Sequence, residues 1–187
     1  VRNQWTKIVP EMKKQYKTPT DMVGVLLHKS KKVRKSERSF FMLALEFETH
    51  QTNEQGKEIF EEYDWWKELV NQAAQKADSF EIRAWKDEAE AISVGELYAE
   101  KQQSSTEEIV FRGKLTPEIL SELTEHCVDT EGVLKYFTFN LYQGESCIFS
   151  SEHYGYQVYW KNTGFAEMGF LMMLIKNHPL IKGFENR

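Results

Sequence analysis

The chain has 187 residues and a mass of 22.1 kDa. At 41% hydrophobic and 13% aromatic it can bury the core of one compact domain, and its ten glycines and four prolines exclude collagen-like and low-complexity classes. The formal charge of −5 is unevenly divided: residues 1–38 hold eleven Lys or Arg against three acids, and the remaining body, 39–187, carries a surplus of thirteen carboxylates.

In residues 1–16, Trp5, Ile8, Val9, Met12 and Tyr16 recur at intervals of three and four, an apolar stripe at helical period interrupted by Pro10. Residues 22–28 and 39–49 read as strands, the second with Phe41, Leu43, Leu45 and Phe47 toward a core. The linker between them, 29–38, is a basic hairpin loop carrying Lys29, Lys31, Lys32, Arg34, Lys35 and Arg38. A long helix is expected over 55–77, with Ile59, Tyr63, Trp66, Val70, Ala73 and Ala77 on its buried face. Beyond it come a strand with Phe80, Ile82 and Ala84 and a helix over 89–99. Another strand is expected over 109–115, then a helix from Pro117 to about residue 128 with Thr116 as its N-cap. Strands over 133–142, 146–151 and 156–160 precede an apolar helix over 165–176, expected to be buried. Turn-linked strands and covering helices define an α+β fold around one mixed, mainly antiparallel sheet. Residues 1–187 then form a single domain, a basic N-terminal helix and hairpin loop (1–38) on an acidic body (39–187).

Catalytic motifs are absent: the sequence holds no nucleophile elbow, glycine-rich phosphate loop, H-E-x-x-H or C-x-x-C. No cofactor or metal site is therefore expected. Glu122 and His126, four apart on one helix face, supply two potential ligands where zinc needs three or four. Glu152 and His153, in a loop that also holds Tyr154 and Tyr156, are a candidate acid–base pair; a recognition loop or an ordinary turn are the alternatives.

The most regular signal is acidic. Glu58, Glu61, Asp64 and Glu68 lie on the wet side of the 55–77 helix, and Trp65, off the apolar stripe, is expected to be partly exposed among them. An aromatic anchor inside a negative field suits a basic protein partner, as in inhibitors or immunity proteins that cap cationic toxins, by analogy alone. The alternative is an ordinary solvated helix face. The 29–38 loop suggests a second binder, of nucleic acid or a membrane surface, against which stand its lack of interleaved aromatics and the acidic body. No run approaches the roughly 20 apolar residues of a membrane span. Residues 1–16 lack a signal-type apolar stretch, and two cysteines, Cys127 and Cys147, are too few for a disulfide scaffold. A soluble cytoplasmic protein is the expectation.

Overall fold

A computed structural model describes residues 41–48, 51–54, 58–102 and 107–186. The expected N-terminal helix, the strand at 22–28 and the basic loop at 29–38 lie outside the described residues. The chain divides into two compact units, residues 50–159 and a second formed by 1–49 with 160–187.

The larger unit is organised around β4 (Ser79–Trp85), whose alternating residues separate two chemistries. Phe80, Ile82 and Ala84 have no exposed surface, whereas Ser79, Glu81 and Arg83 project from the other side. β4 pairs antiparallel with β6 (Glu108–Lys114) on one side and β7 (Thr138–Gln143) on the other. β6 continues to β5 (Glu100–Gln102), and β7 to β8 (Ser146–Glu152). Within the larger unit the hydrogen-bonded strand order is β8-β7-β4-β6-β5; β9 (Gln157–Thr163) runs from this unit into the smaller one, which also holds β1 (Phe41–Phe47) and β10 (Ile181–Asn186). The fold class is α+β, and every described strand register is antiparallel.

Three helices of the larger unit pack on the apolar side. α1 (Asp64–Ala74) buries Trp66, Leu69, Val70 and Ala73. Trp66 lies 5.8 Å from the Phe139 ring, and its indole N–H donates to Ser151 Oγ at 2.9 Å. α2 (Ala89–Tyr98) approaches β6 closely at Gly95: a Cβ there would fall 2.3 Å from the Phe111 ring, so only glycine lets the helix sit at this depth. Phe111 and Phe139 are both cross-strand partners of Ile82, so α1 and α2 cover the same face. α3 (Pro117–Glu125) begins as expected, with Pro117 in its first turn after Thr116, and packs its Ile119 and Leu123 inward beside α1.

Three expectations change. The helix predicted over 55–77 begins only at Asp64, because β2 (Gln51–Thr52) and β3 (Glu58–Ile59) pair as a short hairpin ahead of it. Phe60 and Tyr63 then fold against Trp65, with ring centroids 5.2 and 6.5 Å from its ring. The helix from Pro117 stops at Glu125. The strand expected over 133–142 is regular only from Thr138; Leu134 makes an isolated bridge to Val128 instead.

In the smaller unit β1 is flanked by β10 and β9 and pairs with β10 from Leu43↔Asn186 to Phe47↔Ile181, with a bulge at Glu46/Phe47. Leu43 and Ala44 are buried. α4 (Phe165–Asn177) fills the expected position, with Glu167 accepting from the Gly164 N–H at 2.8 Å to close its first turn. Leu171, Leu174 and Ile175 are buried but Met173 is partly exposed, so the helix shows solvent one side despite its apolar composition. β10 was not anticipated. None of the described helices is long and apolar enough to cross a membrane.

Candidate binding surfaces

The acidic stripe does not survive as one helix face. Glu58 belongs to β3 and Glu61 to the connection before α1, leaving Asp64 and Glu68 on the helix itself. Asp64 and Glu61 are exposed; Asp64 bonds Lys67 at 2.9 Å, an i,i+3 pair that also raises the lysine's pKa. Trp65 is fully buried rather than partly exposed. Its indole N–H donates to the Glu62 carbonyl at 3.0 Å, and the hairpin-side rings of Phe60 and Tyr63 cover it. Trp65 is a core residue of this fold and offers no contact area to a partner.

Carboxylates do collect at a larger scale. On α1, α2 and α3 stand Asp64, Glu68, Glu90, Glu96, Glu118, Glu122 and Glu125, with Lys67 the only basic residue of the three helices. Asp64, Glu96, Glu118 and Glu125 are exposed, while Glu122 is held by Lys135 at 3.0 Å in a mostly buried pair. Leu97, at the end of α2 beside Glu96, is 72% exposed and is the most exposed large apolar side chain among the described residues.

The loop between β8 and β9 is a tight turn in which His153, Tyr154 and Gly155 all take left-handed backbone, with φ of 50°, 56° and 87°. That conformation is sterically costly for the two non-glycine residues. It separates their side chains. His153 is exposed with its ring edge on Phe137, 5.2 Å between centroids. Tyr154 is buried beside the same ring, at 5.6 Å. Burial first, then its hydrogen bond to Glu88 and the charge of that carboxylate, push the Tyr154 phenol well above its ordinary range. Glu152 points back along β8, accepting from Ser150 Oγ at 2.8 Å. Among the described residues no hydrogen bond joins Glu152 to His153, the candidate acid–base pair. Tyr156 is half-buried next to this turn.

The tightest polar cluster lies elsewhere, on the sheet face opposite the helices. Glu81, 2% exposed, accepts from Arg83 Nε at 2.7 Å through one oxygen and from Arg112 Nε at 2.6 Å through the other. Asn140 Nδ2 at 3.2 Å and the Tyr142 hydroxyl at 3.4 Å complete its surroundings. Burial works to raise the Glu81 pKa, but the hydrogen bonds and charges of Arg83 and Arg112 outweigh it and hold the carboxyl below its ordinary range. Register makes the cluster: Arg112 and Asn140 are the cross-strand partners of Glu81 on β6 and β7. The sequence reading missed it. Its one local trace is the polar Ser79, Glu81, Arg83 alternation.

Among the described residues no group of three His, Cys, Asp or Glu is placed to hold a metal. His126 caps the end of α3 and is exposed, while Glu122 turns to Lys135. Cys127 and Cys147 are free thiols; burial raises the Cys127 pKa against the opposing pull of Lys67 and Lys135. The segment between Gly144 and Cys147 is a hairpin turn, with Gly144 at φ 58° and its N–H on Asp78 at 2.6 Å. No family model, curated protein or solved structure matches the chain.

Proposed function

We propose that this chain is a non-enzymatic, intracellular protein-binding module whose acidic helix layer engages a basic protein partner. The observation that carries the reading is the helix layer itself: exposed carboxylates on α1, α2 and α3, one lysine among them, and Leu97 standing clear of the surface next to Glu96. The field of such a layer accelerates encounter with a cationic surface, and an exposed leucine supplies apolar area that contributes about 2 kcal/mol when buried. Leu97 thus takes the anchoring role that the sequence assigned to Trp65. Two free thiols suit a reducing compartment.

The test is recovery of partners from the native host at low and moderate salt, comparing the natural chain with an Asp64→Lys, Glu96→Lys, Glu118→Lys, Glu125→Lys variant and with Leu97→Ser. A basic partner retained by the natural chain, weakened by salt and lost with the quadruple variant supports the reading. A captured set that is the same for all three proteins overturns it.

A further inference from the structure

We infer that β10 is a self-association edge, through which two copies of this chain pair antiparallel about a two-fold axis. β10 runs for six residues, Ile181–Asn186, and pairs with β1. Among the described residues no strand lies on its other side. Alternate residues of such a strand aim their N–H and C=O groups away from the sheet, and that row is a template for another strand. The strand is held in place: Ile181, Gly183 and Phe184 are buried, and its register to β1 extends from Phe47 to Leu43. It contains no proline, and the charges of Lys182 and Glu185 cancel.

The end strand of the larger unit lacks these properties. β5 has three residues, Glu100, Lys101 and Gln102, all exposed. In two-fold antiparallel pairing the residue on the axis faces its own copy. Centred on Glu100 or Lys101, β5 would set like charges opposite each other, which is unfavourable. β10 meets no such obstacle. With Gly183 on the axis, Lys182 lies opposite Phe184 of the second copy, and Ile181 opposite Glu185. With Phe184 on the axis, the two phenylalanines pair and Lys182 lies opposite Asn186. Neither register opposes like charges, and aromatic or lysine–aromatic pairs across strands are favourable. A second copy therefore supplies a strand of matching length and compatible charge. This edge belongs to the smaller unit and the acidic helix layer to the larger, so neither reading depends on the other.

The experiment measures the mass of the full chain by sedimentation equilibrium from about 10 μM to about 1 mM, and amide hydrogen exchange in β10 at both ends of that range. The mass should rise with concentration from 22.1 kDa toward twice that value. The β10 amides that do not bond to β1 should exchange at least about tenfold more slowly at the high concentration. Gly183→Glu places a carboxylate opposite its own copy in the first register and opposite Glu185 in the second. Glu46 is the partner of this position on β1, so the variant is read only where its thermal unfolding stays cooperative. It should then raise the dissociation constant at least about tenfold. Where the variant does not fold, the exchange measurement decides alone. A chain that remains monomeric at about 1 mM overturns the edge, as does a dimer whose β10 exchange ignores concentration or that the folded variant leaves intact.

Discussion

The two faces of β4 solve the problem of burial in opposite ways. On the helix side, Phe80, Ile82 and Ala84 are sealed by Trp66, Gly95 and the aromatic partners Phe111 and Phe139. Stability there comes from removed apolar area and close packing, and it is insensitive to pH. On the polar side the centre of the strand is a carboxylate, as buried as its apolar neighbours, held only because four donors converge on it. Buried charge of this kind contributes little net energy but is costly to disturb. One face therefore supplies most of the stability, and the other supplies a fixed polar geometry.

The largest expected effect is on the apolar side. Trp66→Ala removes a fully buried indole that touches Tyr136 and Phe139 and leaves Ser151 Oγ without its donor. It should cost about 4 kcal/mol, read from urea unfolding. A loss below about 1 kcal/mol would mean that α1 is not packed on this face.

Glu81→Gln comes next, at about 2 kcal/mol at neutral pH, since the amide keeps hydrogen bonds but loses the charge between two arginines. The pH dependence follows from the direction of the shift. The folded-state pKa is depressed, so the contribution of Glu81 is fully present above the ordinary glutamate value of about 4.3 and is lost as pH falls through the lower folded value. Thermal unfolding from pH 7 to pH 2 should therefore show a shallower acid limb for Glu81→Gln than for the natural chain. Parallel limbs would show that Glu81 does not drive the acid transition.

How much of this was legible in the sequence differs by face. The alternation of Phe80, Ile82 and Ala84, and the Thr116–Pro117 helix start, are local signals, and the fold follows them. Trp65 was misplaced because a single helical stripe assumes one burying surface. The hairpin of β2 and β3 supplies a second, bringing Phe60 and Tyr63 over the residue that the wheel had turned to solvent. The Glu81 cluster was invisible for a different reason. Its members come from three strands, up to 61 residues apart, and meet only through register, which composition and periodicity do not carry. Likewise β5 and β10 are short and charged, and sheet neighbours rather than alternation make them strands. The Glu152–His153 pair shows the converse: adjacency in sequence suggested cooperation, whereas in the fold Glu152 accepts from Ser150 and His153, in left-handed backbone, sets its ring against Phe137.

The smallest expected effect has the opposite sign and marks the boundary between the faces. Tyr136 belongs to the apolar side, packed against Trp66 and Phe139, yet its hydroxyl is buried with no hydrogen-bond partner among the described residues. Burial raises its pKa well above the ordinary range, with the Glu122 charge adding to the effect, so the phenol is neutral at any physiological pH. A neutral hydroxyl taken from water without a replacement partner is a net cost, whereas the ring that carries it is a gain. Tyr136→Phe keeps the ring and removes the cost. It should leave stability unchanged or raise it by up to about 1 kcal/mol in urea unfolding. A loss of more than about 1 kcal/mol would instead assign the hydroxyl a partner, and polar order would then extend into the face that now stands as apolar.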